Sequence, residues 1–140
     1  MKNRFESLLK IAEVKENNAA KEYVEARDAW EFNQARLNEL RAFRDEYRDP
    51  AASVSVSPRQ FESARVFLSR LSTAIDNQEE EVSRLMAQVE LGQQSWQATR
   101  VKRKSIELLS EKRLADALGE ARKKEQSDLD EAGQRSRPGF

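Results

Sequence analysis

Apolar residues after Pro58 recur at alternating steps of three and four. Nine of eleven successive positions in this stepping are apolar, whereas the apolar content of 38% over the whole chain would place about four there by chance. The series is Phe61, Ala64, Leu68, Leu71, Ile75, Gln78, Val82, Leu85, Val89, Gly92 and Trp96. A repeat of 3.5 residues is typical of a left-handed coiled coil, so this stretch predicts one long helix with an apolar seam.

The first third of the chain carries the same stepping, with seven apolar residues in nine. The series is Ala19, Tyr23, Ala26, Trp30, Asn33, Leu37, Leu40, Arg44 and Tyr47. Upstream, Phe5, Leu9 and Ala12 continue the seam, and Glu16 interrupts it. Large residues pack best against small ones, so we expect Trp30 to lie opposite Gly92 or a neighbour of Gly92.

A marked break separates the two series. Pro50 disfavours helix at the preceding residue, and Ser57, Pro58 and Gln60 form the pattern of a capping box. A hydrophobic staple between Val56 and Phe61 is expected beside it. We therefore predict a helix over residues 3–48, a turn over 49–57 and a helix over 58–132. Residues 133–140 have the composition of a disordered tail.

A short turn between two seam-bearing helices predicts an all-α fold, a long antiparallel two-helix coiled-coil hairpin that forms one domain over residues 1–132. Centring the turn near residue 53 pairs Tyr47 with the segment 56–61 and Phe5 with Val101. The second helix then runs on for about thirty residues beyond the end of the first.

Composition excludes several classes of function. The 140 residues include no His and no Cys, which rules out a Cys/His zinc site, a thiol nucleophile, a disulfide framework and a Ser-His-Asp triad. No Gly-rich phosphate loop or calcium loop is present, so we expect no enzyme, no metal and no cofactor. Twenty-five basic residues balance twenty-five acidic ones, which argues against nucleic-acid binding. Without a long apolar run or an apolar leader, a soluble cytoplasmic protein is expected.

Two surface features stand out beside the seam. Two stripes at the turn ends of the helices carry large apolar groups: Leu40, Phe43 and Tyr47 on the first helix, and Phe67, Leu71, Ala74 and Gln78 on the second. They fit a partner-docking patch, and equally a wider core or a homodimer contact. The basic run of Arg100, Lys102, Arg103 and Lys104 fits an anionic partner, or a solvated face that Glu107 and Glu111 neutralise.

Three segments carry a resemblance to a known family: the LNELRAFRDEYR block at residues 37–48, FLSRLSTAI at 67–75 and the Ser95–Trp96 pair. Together they resemble the FliJ family, small coiled-coil components of the bacterial flagellar type III export apparatus, over about residues 5–130. The resemblance implies a hairpin similar to the γ stalk of rotary ATPases. It also implies a location at the cytoplasmic face of the inner membrane, at the flagellar base.

The resemblance further implies three partners: the hexameric export ATPase FliI, the export gate protein FlhA and the flagellar export chaperones. Its gate-contacting positions fall on Leu40, Phe43, Tyr47, Phe67, Leu71, Ala74 and Gln78, with Arg36 at a further matching position. The basic residues Arg100, Lys102, Arg103 and Lys104 become candidate contacts with the ATPase ring.

Two alternatives remain beside this interpretation. One is the equivalent stalk component of a virulence type III secretion system, which has the same shape and role. The other is a generic coiled-coil scaffold or homodimerising tether without an ATPase partner. The break at Pro50 favours an intrachain hairpin over a parallel dimer, for which an uninterrupted helix is expected.

Overall fold

The structure, a computed structural model, describes residues 2–48 and 57–135 of the chain. It contains helix α1 (Lys2–Tyr47) and helix α2 (Pro58–Arg135), and no strand within those residues. The two helices pack against each other in antiparallel order, which confirms the predicted all-α hairpin. The predicted turn residues 49–56 and the final residues 136–140 lie outside the described residues.

The helix boundaries follow local sequence chemistry. Neither Gly nor Pro occurs within α1, so no residue breaks its backbone hydrogen bonding. Helix α2 begins with the predicted capping box: the Gln60 amide donates to Ser57 Oγ at 3.2 Å, and the Ser57 amide donates to Gln60 Oε1 at 3.1 Å. At its other end α2 continues through Gly133 to Arg135, three residues past the predicted end.

Tertiary contacts divide the chain into two compact units. Unit 1 comprises residues 1–16 and 98–140, and unit 2 comprises residues 17–97. Each unit contains one segment of α1 and one of α2, so each is a stretch of paired helix with its own seam.

The seam of unit 2 is an apolar core. Leu37, Leu71, Ile75 and Val82 are buried together, and Ile75 is only 2% exposed. Trp30 and Leu40 pack against this cluster from α1. Burial of one such side chain stabilises the fold by about 1.5–3 kcal/mol, so this cluster is the main source of pairing energy in unit 2.

A polar pair interrupts that core at two positions of the seam. The Gln78 side-chain amide donates to the Asn33 main-chain carbonyl and to Asn33 Oδ1, both at 3.0 Å. Asn33 Nδ2 in turn donates to the Ala29 carbonyl at 2.8 Å. Because a shifted pairing would leave these half-buried amides without partners, the layer helps to fix the register of the two helices.

The helices approach each other closely where α2 has a glycine. A Cβ atom built on Gly92 would lie 3.3 Å from the Tyr23 Cα. The Tyr23 ring stacks on Trp96, one turn further along α2, with ring centroids 5.6 Å apart. Tyr23, and not Trp30, is therefore the large residue that faces Gly92; Trp30 belongs to the apolar core.

Unit 1 is held by fewer apolar groups. Among its described residues only Ala12 is a buried apolar residue, at 5% exposure. The Arg103 guanidinium lies at a seam position, where it hydrogen-bonds the Glu16 carboxylate and donates to Glu107 Oε2 at 2.9 Å. The hydrogen bond to Glu16 is the main cause that raises the pKa of Arg103. The charged Glu16 that interrupts the first seam thus meets a charged partner on α2.

The observed pairing differs from the register predicted by centring the turn at residue 53. Tyr47 packs on Phe67, six residues beyond the segment 56–61 with which the prediction pairs it, and Phe5 lies under the Arg113 guanidinium, twelve residues beyond Val101. The prediction assumed that both helices begin pairing at the turn. Instead, the first turns of α2 precede its pairing with α1, and Phe61 there is 65% exposed. Helix α2 consequently runs on without α1 opposite it from near Leu114, and not from just beyond Val101 as the prediction had it.

Candidate functional site

Three aromatic side chains form an exposed cluster in unit 2, here called the aromatic patch: Phe43 and Tyr47 on α1 and Phe67 on α2. The Tyr47 and Phe67 ring centroids are 4.6 Å apart, and those of Phe43 and Phe67 are 6.3 Å apart. The three side chains are 52%, 46% and 38% exposed, respectively. Two paired helices bury only a narrow strip between them, so large apolar groups beside that strip stay exposed to water. The patch is therefore an exposed apolar surface that is already assembled before any partner binds.

The other predicted gate-contacting residues lie in different environments. Leu71 is buried at 8% exposure, and half-buried Leu40 packs against the same core. Ala74 is exposed one turn beyond Leu71, and Gln78 donates its amide protons to Asn33. Among the predicted gate-contacting residues, the structure thus brings the three aromatic ones together as a surface cluster, whereas Leu40 and Leu71 belong to the apolar core.

Arginine is the only basic residue type near the patch. No lysine occurs between residues 22 and 101, and the segments 36–48 and 57–70 contain seven arginines against four carboxylates. Arg44 lies at a seam position between Leu40 and Tyr47, and its Nε is buried without a hydrogen-bond partner in the described structure. The nearest carboxylate oxygen to that atom, Asp45 Oδ1, is 3.5 Å away. Aromatic residues and arginines together are the composition of energetically important protein interfaces.

The basic run of α2 separates into two groups. Arg100, Lys102 and Lys104 are exposed, whereas the Arg103 side chain is 21% exposed and engaged with Glu16 and Glu107. Continuing the seam stepping from Trp96 leads to Thr99 and then to Arg103. The same pattern that predicts the helix therefore predicts that Arg103 faces α1. The three exposed cations alone present positive charge to a partner.

No group of three metal-binding side chains is placed to hold a cation anywhere in residues 2–48 or 57–135. Over the same residues, neither helix contains a stretch apolar enough to cross a lipid bilayer. Two features stand out on the surface of the described residues: the aromatic patch in unit 2 and the exposed cations in unit 1.

Sequence reasoning missed two contacts, both of which depend on the register. Gly92 faces Tyr23 rather than Trp30, and Glu16 pairs with Arg103. The pairing of Glu16 with Arg103 could have been predicted, because both residues lie on the seam stepping and carry opposite charges.

Comparison with known proteins identifies a family for this chain. The family described as flagellar FliJ protein matches residues 1–137 of the 140-residue chain. No curated protein matches the chain.

Proposed function

The chain belongs to the FliJ family, a family of coiled-coil components of the flagellar export apparatus, and from this premise we propose that it links the export ATPase to the export gate. The family is one of structural components and not of enzymes. In this proposal the aromatic patch of unit 2 binds the gate protein FlhA. Unit 1 contacts the ATPase FliI, and the chain also assists the recycling of export chaperones. It would act at the cytoplasmic face of the inner membrane.

The observation that supports gate binding is the preassembled aromatic patch. The Phe67 ring already contacts both the Phe43 and the Tyr47 ring, so little side-chain entropy is lost when a partner covers them. Exposed aromatic residues in a cluster with arginines nearby account for much of the binding energy in many protein interfaces. The other exposed aromatic side chains, Phe32 and Phe61, are not part of this contacting set.

The test is a calorimetric titration of the cytoplasmic domain of FlhA with the double variant Phe43→Ala/Phe67→Ala. We expect affinity to fall at least tenfold, because each truncated hot-spot residue typically costs about 1–3 kcal/mol of binding. The matched control is Leu91→Ala in the same unit, which removes a side chain that is 65% exposed and lies outside the patch. Unchanged affinity of the double variant would reject the patch as the gate contact.

Leu71 is unsuitable for that test although it belongs to the predicted gate-contacting set. Its side chain is 8% exposed within the core of unit 2, so truncation to Ala is expected to destabilise the helix pairing by about 2–5 kcal/mol. A loss of FlhA binding in Leu71→Ala would therefore report on stability. The exposed rings of Phe43 and Phe67 allow binding and folding to be separated, with helix content measured by circular dichroism as the control.

Contact with the ATPase ring rests on the exposed cations of unit 1, the unit that contains both ends of the chain. The test is co-precipitation of FliI with Arg100→Glu/Lys104→Glu, against the charge-matched variant Lys21→Glu/Arg70→Glu in unit 2. We expect only the first variant to lose FliI. Equal recovery of FliI by both variants would contradict the assignment. Arg103 is left out of the variant because it holds α1 and α2 together in unit 1.

The pairing within the chain bears on the alternative functions. The seam residues of α1 find their partners on α2 of the same chain, so no second copy is needed to cover them. Examples are the contacts of Gln78 with Asn33 and of Phe67 with Tyr47. They favour a hairpin over a homodimerising tether. The family match, to a flagellar protein, favours the flagellar system over a virulence secretion system.

A further inference from the structure

A groove runs between the two helices of unit 1. Leu8, Ile11, Ala12 and Lys15 line it from α1, and Lys102 and Ile106 line it from α2. Its volume is about 120 Å³. Small-molecule pockets usually measure roughly 300–1,000 Å³, so this groove has room for one or two side chains rather than for a metabolite.

The groove is apolar with charged edges. Ala12 is 5% exposed beneath it, while Leu8 and Ile11 are 44% and 53% exposed on its α1 side. Each helix contributes one lysine, Lys15 from α1 and Lys102 from α2. Neither lysine forms an ion pair with a carboxylate in the part of the chain that the structure describes.

Charge on this side of unit 1 has a single sign. Residues at helical spacing on the same stripes as the groove are Arg4, Leu8, Ile11 and Lys15 on α1, and Thr99, Lys102, Ile106, Leu109 and Arg113 on α2. Four of these nine are cations and none is a carboxylate. Nearby Glu16 and Glu107 both bind Arg103 in the seam, whose single charge balances one of the two carboxylates, so the four cations of the stripes remain in excess of the other.

We propose that this groove docks an amphipathic helix of a partner protein, which inserts apolar side chains between Leu8, Ile11 and Ile106 and presents carboxylates to Lys15 and Lys102. A concave apolar groove between two helices fits the row of apolar residues along one side of a third helix. The flanking lysines select an acidic helix over a basic one.

Two other occupants fit these observations less well. A second copy related by two-fold symmetry would place the same surface on itself and bring the four cations together. A lipid surface would meet the exposed helix faces and leave the concave groove unfilled. The groove shares only Lys102 with the proposed FliI contact, and the inference does not depend on that contact.

The test uses a fluorescent synthetic helix of about 20 residues, with leucines at every third and fourth position and glutamates beside them. Anisotropy titrations measure its binding to the full chain. A second peptide carries lysines in place of the glutamates. We expect saturable binding of the acidic peptide, at least tenfold tighter than that of the basic one, and weakening with added salt.

Two charge-matched variants locate the contact. Lys15→Glu/Lys102→Glu reverses the charges at the groove and is expected to weaken acidic-peptide binding about tenfold. Lys10→Glu/Lys123→Glu makes the same change in net charge at exposed positions outside the groove and is expected to alter binding less than twofold. Ile11→Ser, which removes one apolar side of the groove, is expected to abolish binding while helix content stays unchanged.

Three outcomes would overturn the proposal. Equal weakening by the two double variants would mean general attraction of the peptide to a basic protein. Binding of phosphatidylglycerol vesicles that Ile11→Ser abolishes, without peptide binding, would assign the surface to lipid. Self-association that Ile11→Ser abolishes, measured by sedimentation, would assign it to a second copy. None of these results bears on FliI recovery by the Arg100→Glu/Lys104→Glu variant, so the two proposals fail separately.

Discussion

The contact between Gly92 and Tyr23 gives the sharpest test of the helix pairing. By intrinsic propensity alone, Ala at an interior helix position is more stable than Gly by about 1 kcal/mol. At Gly92, however, the added Cβ would lie 3.3 Å from Tyr23 Cα and 3.7 Å from Tyr23 Cβ and Cδ2. The closest of these atoms is α1 backbone, which cannot rotate away as a side chain can. Overpacking of this kind typically costs about 1–3 kcal/mol.

We therefore expect Gly92→Ala to be no more stable than the wild-type chain, and Gly92→Leu to be less stable by about 3 kcal/mol. Urea unfolding followed by circular dichroism measures both free energies. The control is the neighbouring residue Gln93, which is exposed. The pair Gln93→Ala and Gln93→Gly measures the propensity difference in the same turn of α2 without the packing contribution, and about 1 kcal/mol is expected.

The result that would refute this reasoning is a Gly92→Ala variant stabilised by the full difference found at Gln93. It would mean that the helices do not approach closely at this layer. Trp96 offers a second readout, because its ring stacks on Tyr23. In a Trp30→Phe background, Gly92→Leu is expected to shift Trp96 emission, whereas Gln93→Ala leaves it unchanged.

Further predictions concern the core, the charged layer and the cap. Ile75→Ala is expected to lose about 2–5 kcal/mol of unfolding free energy, since Ile75 is 2% exposed. Arg103→Met is expected to lower the urea midpoint, because it leaves two carboxylates facing an apolar group, and Glu16→Met/Arg103→Met is expected to recover most of the loss. Ser57→Ala removes the cap of α2 and should cost about 1 kcal/mol. Each value comes from the same urea titration.

Each of these predictions has an outcome that contradicts it. Exposed Phe32 is the control for Ile75, and Phe32→Ala is expected to change stability by less than about 0.5 kcal/mol. Equal losses at the two positions would contradict the assigned core. A double Met variant no more stable than Arg103→Met would mean that Glu16 and Arg103 are not coupled. A Ser57→Ala variant as stable as wild type would mean that the capping hydrogen bonds are not formed in solution.

The stepping of apolar residues predicted which side chains face inward. From Ala64 to Trp96, every stepping position of α2 is at least half-buried, and so is every position of α1 from Ala19 to Arg44. The pattern succeeds because a helix places residues three and four apart on one side, whatever its partner is. Within the two series it fails at Tyr47 and Phe61, the positions nearest the turn, which are 46% and 65% exposed.

Which residues face each other across the seam could not be read in the same way. A shift of the pairing by one heptad leaves every apolar residue in the seam, so the stepping alone does not choose between registers. The choice depends on particular pairs, such as Asn33 with Gln78 and Tyr23 with Gly92. The predicted docking stripe also mixed two environments: Leu71 lies on the stepping and is buried, whereas Phe67 lies beside it and is 38% exposed.

The uneven distribution of buried residues has a consequence for backbone dynamics. Unit 2 contains Ala19, Leu37, Leu71, Ile75, Val82 and Leu85 as buried residues, whereas the described part of unit 1 contains Ala12 alone. Amide protons exchange with deuterium whenever a helix opens locally, and opening costs less where little apolar surface becomes wet. We expect the amide protons near Ala12 to exchange through small local openings, and those near Ile75 to exchange only on global unfolding. Deuterium would then enter the backbone of unit 1 faster than the backbone of unit 2.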